Sequence, residues 1–163
     1  MSPEAGLSAR LQIIDTINRF FLAVDTRDYA TARSLLTDQV DFDYTRMFGA
    51  TMPNTADQMI ERVRSNHAGL HGIQHLISNH IVEIDGDTAN CRSNYIAHHW
   101  FPNPQGDATW AVGGRYQHRL IRTGDLWKLQ GGAIEVAWTQ GNRTIFDLAR
   151  AGDQSVSINP SNS

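Results

Sequence analysis

The sequence predicts an α+β fold: a cone-shaped α+β barrel in which a strongly curved, mixed or antiparallel sheet has three N-terminal helices packed on its concave side. Two observations lead to this fold class. Apolar residues recur with helical spacing in the first part of the chain, and from residue 73 onward they recur in long strand-like segments. Helices followed by a run of antiparallel strands are typical of α+β domains, and long hairpins of this kind twist and curl.

Three segments have the features of helices. Residues 11–24 place apolar side chains three and four positions apart, which is the pattern of a helix with one buried face. Residues 29–36 are predicted to form a short second helix with Asp28 as its N-cap. Residues 55–67 are predicted to form a third helix, which begins at Thr55 or at the preceding asparagine.

Strand patterns follow the helices. Residues 39–44 alternate strictly, so that Val40, Phe42 and Tyr44 share one face. Longer strand-like segments cover residues 73–84, 88–101, 109–122 and 126–138. An Asp-Gly pair that ends at Gly86 separates the first two of them, and this pair is a strong signal of a tight hairpin turn.

Length and composition limit the domain count and the partners. The 163 residues are enough for one domain with a sizeable core. We assign residues 1–140 to that domain and residues 141–163 to a C-terminal extension, a short helix followed by a mobile tail. The net charge of −3 argues against a nucleic acid partner. No signal-peptide pattern and no apolar run of roughly 20 residues appears, which argues against a membrane partner. We therefore expect a cytoplasmic protein that binds a small-molecule substrate.

Asp25 is the most informative residue, because its charge directly follows an apolar helical stretch. A carboxylate at the rim of a buried face needs a partner, since an unpaired buried charge is costly. His75 lies in a segment with apolar neighbours on both faces, and its second ring nitrogen needs a partner too. If the two meet, the carboxylate fixes the tautomer of the imidazole and stabilises the imidazolium. His75 is then suited to general acid–base catalysis.

The remaining reactive residues give weaker signals. The chain has seven histidines. Neighbouring strand residues face opposite ways, so only one of His98 and His99 can line a given pocket, and strand parity alone does not decide which. No HxH or HExxH spacing appears, so we expect no metal and no cofactor. The single cysteine, Cys91, falls in a predicted strand, which argues against nucleophilic catalysis.

Several short motifs together resemble the SnoaL-like branch of the nuclear transport factor 2-like superfamily. They are Val24-Asp25, Asp43-Tyr44, Gln74-His75, Ala97-His98-His99, Gly113-Gly-Arg-Tyr116 and Arg122-Thr-Gly-Asp-Leu-Trp127. Within this branch the chain resembles scytalone dehydratase, bile-acid 7α-dehydratase and hexachlorocyclohexane dehydrochlorinase. The resemblance implies a homo-oligomer, a trimer as in the dehydratases or a dimer as elsewhere in the superfamily.

The resemblance also implies roles for individual residues. Asp25 is similar to the aspartate that orients the catalytic histidine, and His75 is similar to that histidine. Tyr44 resembles a tyrosine that polarises the substrate carbonyl, and His98 resembles a second histidine near the leaving hydroxyl. Arg122 falls near an arginine that assists the dehydrochlorinase.

Substrate contacts are predicted less firmly than the acid–base pair. Val24 stands where scytalone dehydratase has a tyrosine, and Phe20 stands where the dehydrochlorinase has a lysine, so the substrates of those enzymes are poor candidates. The predicted substrate-binding residues are Phe20, Val24, Met47, Phe48, Trp100, Trp110, Tyr116 and Arg122. The aromatic residues in this set also fit a place in the core or in a subunit interface.

These observations predict a cofactor-independent lyase, a dehydratase that acts on a small cyclic or polycyclic carbonyl compound. One alternative is an isomerase or polyketide cyclase that uses the same pair of residues without loss of water. Another is a noncatalytic accessory subunit, like the small subunit of ring-hydroxylating dioxygenases. A third is a ligand carrier, in which His75 lies away from Asp25.

Overall fold

The computed structural model describes residues 3–49 and 52–157, with the side chains of residues 4–47, 49 and 52–152. The predicted tail from residue 158 onward lies outside the described residues. In chain order the elements are α1 (Pro3–Asp25), α2 (Tyr29–Ser34), β1 (Leu36–Asp43), α3 (Thr45–Phe48), α4 (Ala56–Asn66), β2 (Gly72–Asp85), β3 (Thr88–Trp100), β4 (Thr109–Thr123), β5 (Leu126–Gly141) and α5 (Ile145–Ser157).

The five strands form one mixed sheet in the order β1-β5-β4-β3-β2. The strands β2 to β5 pair with their sequence neighbours in antiparallel fashion. The first strand, β1, runs parallel to β5 at one edge of the sheet. The predicted α+β class and the mixed sheet are therefore confirmed, whereas the strong curvature and the concave placement of the helices stay predictions.

The first helix is longer than its apolar pattern predicts, because it begins at Pro3 instead of residue 11. Its early turns lie largely in solvent, with Leu7 61% exposed, so they carry no apolar stripe. A proline in the first turn suits this start, since the N–H that it lacks would have no partner within the helix. None of the described helices is long and apolar enough to cross a membrane.

The shorter helices show what local signals can and cannot specify. The Asp28 carboxylate caps α2 by accepting a hydrogen bond from the Thr31 N–H, and Thr55 caps α4 in the same way. Both caps confirm the prediction. The short α3 was not predicted, because its four residues are too few to show a period. Gly49 ends this helix at once, in the left-handed conformation with a φ of 69°.

One face of the sheet is covered and the other is exposed. Odd-numbered residues of β3 are buried and even-numbered residues are exposed along almost its whole length. Helix α1 contacts both β2 and β5, which are separated in the sheet by β3 and β4, so the helix lies across the sheet. The side chains Val40, Phe42 and Tyr44 are all buried, as their shared face predicts. We call the covered side the inner face and the exposed side the outer face.

Candidate active site

Asp25 and His75 are in direct contact where α1 ends against β2. Asp25 Oδ1 lies 2.5 Å from His75 Nδ1. Asp25 Oδ2 accepts a hydrogen bond of 2.7 Å from the backbone N–H of His75. Only 13% of the Asp25 side chain and 8% of the His75 side chain are exposed. Because both carboxylate oxygens bind one residue, they fix the position of its backbone and the orientation of its ring.

The position of Asp25 explains why it needs these two donors. It is the last residue of α1, where the partial negative charge of the helix C-terminus disfavours a carboxylate. The two N–H groups of His75 offset that repulsion. An ionised carboxylate can only accept hydrogen bonds, so Nδ1 of His75 carries a proton, and in the neutral ring Nε2 is then an acceptor.

His75 lines a cavity of about 460 Å³ on the inner face of the sheet. This volume is within the range of small-molecule sites, and an apolar lining with a few polar groups is typical of them. The apolar part of the wall consists of Phe20, Phe21, Val24, Met47, Met52, Met59, Val63, Trp110 and Phe146. The predicted contacts Phe20, Val24, Met47 and Trp110 therefore lie at the cavity. The side chain of Phe48 lies outside the described residues.

Two further histidines line the same cavity. The rings of His67 and His99 lie 5.6 Å apart, and they are 6.4 and 6.3 Å from the ring of His75, measured between centroids. Burial lowers the pKa of His67 and of His99 to about 3, so both are neutral at pH 7. Nδ1 of His99 lies 3.3 Å from the carbonyl oxygen of Trp110 and donates to it. Nε2 of His99 is therefore an acceptor.

Two buried tyrosines supply hydrogen-bond donors. Tyr44 follows β1 and Tyr116 lies in β4, and their ring centroids are 6.2 Å apart in the cavity wall. Burial raises the pKa of both phenols, so each keeps its proton and can donate it in a hydrogen bond. Tyr116 is held by ring contacts with Phe21 and Tyr95, at centroid distances of 5.0 and 4.2 Å.

Two residues of β3 that were predicted to belong to the site, His98 and Trp100, do not face the cavity. Both lie on the outer face, where Trp100 is 48% exposed. The inward residue is His99, which is 3% exposed and pairs with Trp110 across β3 and β4. Because successive strand residues face opposite ways, placing His99 inside necessarily places its two neighbours outside.

Arg122 also lies away from the cavity, contrary to its predicted role. Its guanidinium carbon is 4.9 Å from the centre of the Trp127 ring, and its Nε is 3.5 Å from a carboxylate oxygen of Asp87. Three other arginines line the cavity: Arg62 in α4, Arg143 after β5 and Arg150 in α5. Sequence reasoning missed all three.

A signal for Arg62 was present in the sequence. Met59, Arg62, Val63 and Asn66 follow helical spacing in α4 and all line the cavity, so the signal was an arginine within an apolar stripe. No such signal pointed to the two arginines near the C-terminus. Their place depends on the packing of α5, where the Phe146 ring lies 4.9 Å from that of His99. Among the residues that the structure describes, no group of three or more His, Cys, Asp or Glu is arranged to hold a metal ion.

Comparison with known families gives a match over most of the chain. The family model of the SnoaL-like domain matches residues 5–131. The matched stretch includes Asp25, Tyr44, His75 and His99, and it ends before α5. Among curated proteins, none matches the chain in sequence.

Solved structures of similar fold are numerous. A protein of Kribbella flavida has a TM-score of 0.81 and 24% sequence identity, over 87% of this chain and 99% of that one. A protein of Novosphingobium aromaticivorans assigned as a scytalone dehydratase has a TM-score of 0.76 and 17% identity, over 87% and 93%. A hexachlorocyclohexane dehydrochlorinase of Novosphingobium barchaimii has a TM-score of 0.72 and 16% identity, over 87% and 95%. Identities this low show a shared fold, so activity has to be argued from the site.

Proposed function

This chain belongs to the SnoaL-like domain family of the nuclear transport factor 2-like superfamily, and we propose that it is a cofactor-independent lyase of the dehydratase type. The proposed substrate is a small cyclic or polycyclic compound with a hydroxyl group on the carbon β to a carbonyl. The observation that carries the proposal is the contact of both Asp25 carboxylate oxygens with His75 in the wall of the cavity. A dehydratase and a dehydrochlorinase among the proteins of similar fold agree with an elimination reaction.

His75 is the proposed base. Its Nε2 takes a proton from the carbon α to the carbonyl, and the electrons of the broken C–H bond form an enolate. The resulting imidazolium is stabilised by the Asp25 carboxylate at Nδ1, 2.5 Å away. Burial lowers the pKa of His67 and His99 to about 3, which makes both weak bases, whereas His75 is in contact with a carboxylate, so His75 is the best base in this group.

Tyr44 is the proposed donor to the enolate oxygen. The phenol keeps its proton because burial raises its pKa. A donor fixed in a water-poor site stabilises developing negative charge more than it stabilises the neutral carbonyl, which lowers the barrier to proton removal. Tyr116 is the second phenol in the same wall.

The leaving hydroxyl group departs as water. The C–O bond breaks as the enolate electrons form the C=C double bond, and the imidazolium of His75 returns its proton to the leaving oxygen. The reaction therefore consumes no net proton and no oxidant. His99, and not the exposed His98, lines the cavity, and we propose that it binds the substrate hydroxyl. As a neutral ring with Nε2 as an acceptor, it orients the substrate hydroxyl by accepting its hydrogen bond.

Deuterium exchange at a ketone tests the first step by itself. 1-Tetralone has a proton α to its carbonyl and no leaving group, so in D₂O the protein should speed its uptake of deuterium, measured by mass spectrometry. His75→Ala should slow this exchange by roughly 10²–10⁴-fold, the usual contribution of a general base. The control is His71→Ala, since His71 is exposed and does not line the cavity. Exchange that is equally fast in His75→Ala and wild type removes His75 from the mechanism.

A hydroxylated ketone tests the elimination. Loss of water from 3-hydroxy-1-tetralone gives 1-naphthol after tautomerisation, which is detected by fluorescence and by a mass lower by one water. Enzyme-dependent formation of 1-naphthol supports the dehydratase. A product of unchanged mass favours the isomerase alternative that uses the same pair of residues.

A further inference from the structure

The cavity has a charged rim opposite in sign to the protein as a whole. The chain has a net charge of −3. Among the described residues that line the cavity, however, three are arginines and one is an aspartate, Asp147. The arginines are Arg62, Arg143 and Arg150, and we call these three the rim arginines. Arg143 is exposed and the other two are half-buried, whereas His99 and the two tyrosines of the cavity wall are buried.

Two of the rim arginines form no ion pair with a carboxylate of the described residues. Arg62 forms no ion pair within the described residues, and its Nε is buried without a hydrogen-bond partner there. Arg143 makes one long hydrogen bond, of 3.5 Å, to the backbone carbonyl of Met47. Arg150 is paired with Asp147, whose side chain is 80% exposed. A buried guanidinium N–H without an acceptor is costly, so a ligand that supplies an acceptor is favoured there.

Most arginines elsewhere in the protein form an ion pair or, like Arg10 and Arg27, bind a backbone carbonyl. Those that form ion pairs with Asp or Glu are Arg19, Arg33, Arg64, Arg92, Arg115, Arg119 and Arg122. Most of these pairs are on the exposed surface, where each contributes little to stability. Arg62 has neither an ion pair nor a partner for its buried Nε among the described residues, so it differs from most arginines of this chain.

We propose that the substrate carries an oxyanion group, a carboxylate or a phosphate, which binds to the rim arginines while its ring enters the apolar cavity. This inference rests on the proposed function for the ring and names the charged class of substrate. Guanidinium groups bind both oxyanions through paired hydrogen bonds. The neutral state of His67 and His99 matters as well, because no cationic histidine of this pair competes with the rim arginines for the anion.

Recognition at the rim also sets the direction of binding. With the anion at the rim, the uncharged end of the substrate points towards Phe21, Tyr44 and His75, all buried or largely buried. Binding energy from a remote charged group can then hold the reacting carbon near the base.

A matched set of bicyclic ligands tests the inference without any turnover. Isothermal titration calorimetry on the wild-type protein compares 2-naphthoate, 2-naphthyl phosphate and the uncharged 2-naphthamide. We expect at least one anion to bind roughly 10–100-fold more tightly than the amide, the range given by a hydrogen bond to a charged group. The anion that binds more tightly shows whether the charged group of the substrate is a carboxylate or a phosphate. Equal binding of the amide, or no binding of either anion, overturns the inference.

Variants locate the binding site of the anion. Arg62→Gln and Arg143→Gln should each reduce the preference for the anion over the amide roughly tenfold, with little change in amide affinity. Arg64→Gln is the matched control, because Arg64 lies two residues further along α4, pairs with Glu61 and does not line the cavity. A preference that survives Arg62→Gln and Arg143→Gln together, in variants whose thermal melts match wild type, also overturns the inference.

The two proposals fail in different ways. Deuterium exchange into 1-tetralone reports His75 and involves no anion, so it is unaffected if the rim arginines bind nothing. Anion preference in calorimetry reports the rim arginines and is unaffected if His75 removes no proton. Each result therefore bears on one proposal alone.

Discussion

The two faces of β3 give the same side chain opposite environments. His98 is exposed on the outer face, whereas the adjacent His99 is 3% exposed on the inner face. Burial lowers the pKa of His99 to about 3, and the Trp110 carbonyl accepts the hydrogen bond of its Nδ1. The comparison teaches that a histidine becomes part of this site through strand parity and packing. Residue type and position in the sequence leave that choice open.

The largest expected effect is at Asp25, the carboxylate that contacts the proposed base on the inner face. Asp25→Asn keeps the shape of the side chain and removes the charge that stabilises imidazolium at His75. We expect deuterium exchange into 1-tetralone to slow by roughly 10²–10⁴-fold. Asp15→Asn is the matched control, since Asp15 lies on the exposed side of α1 and pairs with Arg19. Exchange at the wild-type rate in Asp25→Asn would show that His75 needs no carboxylate.

The second prediction concerns the acid stability of the inner face. Burial lowers the pKa of His67, His99 and His118 to about 3. In the unfolded chain a histidine takes up a proton near pH 6.5, so between these values the unfolded state binds more protons. The free energy of unfolding should therefore fall as the pH falls below about 6.5, by roughly 1.4 kcal/mol per pH unit for each histidine.

Urea unfolding at several pH values measures this slope. His118→Phe should make the slope shallower by roughly 1.4 kcal/mol per pH unit, because it removes one of the three histidines whose pKa is lowered by burial. His118 does not line the cavity, so the proposed site is left intact. His98→Phe on the outer face is the control and should leave the slope unchanged. Equal slopes in His118→Phe and wild type would contradict the prediction.

The third prediction sharpens the comparison on β3 itself. His99→Ala removes the proposed acceptor for the substrate hydroxyl, so dehydration of 3-hydroxy-1-tetralone should slow about tenfold, the effect of one hydrogen bond to an oriented group. His98→Ala should change the rate less than about twofold, because surface substitutions have small effects. If the two variants are slowed equally, the face of the strand does not decide the role of the histidine.

The smallest effect on the folded subunit is expected on the outer face. Leu76, Ile96 and Trp138 are 49%, 36% and 43% exposed, and they form one cross-strand row through Gly113. We expect the predicted homo-oligomer to bury this row. Ile96→Lys should dissociate the assembly in analytical ultracentrifugation while changing the thermal melt of the subunit little. Asn90→Lys, at an exposed position of the same strand, is the control. A wild-type protein that sediments as a monomer would rule out this assembly.

Local signals in the sequence were reliable wherever the cause of a structure is local. The caps at Asp28 and Thr55 are formed by side chains that bind N–H groups three residues away. The hairpin at Gly86 depends on its positive φ of 58°, which glycine adopts without strain. Asp25 also gave a local signal, because a charge beside an apolar stripe requires a partner, although the partner, His75, lies fifty residues away.

The sequence signals failed where packing between distant segments determines which side chains reach the cavity. His98 and His99 are the same residue type at adjacent positions, so the sequence does not say which of them faces the cavity. The pairing of β3 with β4 decides this, because it places His99 beside Trp110 on the inner face. Arg143 and Arg150 belong to the segment assigned as an extension, yet α5 places them in the cavity wall. Arg122, predicted from a motif, is held by Trp127 and Asp87 instead.

The sequence by itself determined the class of fold and singled out Asp25, because apolar periodicity and a charge beside an apolar stripe are properties of short segments. The tertiary structure alone decided which residues surround that pair. The parallel pairing of β1 with β5 joins segments about ninety residues apart, and α5 returns from the C-terminus to meet His99. Such contacts depend on the complementary shape of surfaces that form only after the elements fold, so no local pattern encodes the inward His99 or the positions of Arg143 and Arg150 at the cavity.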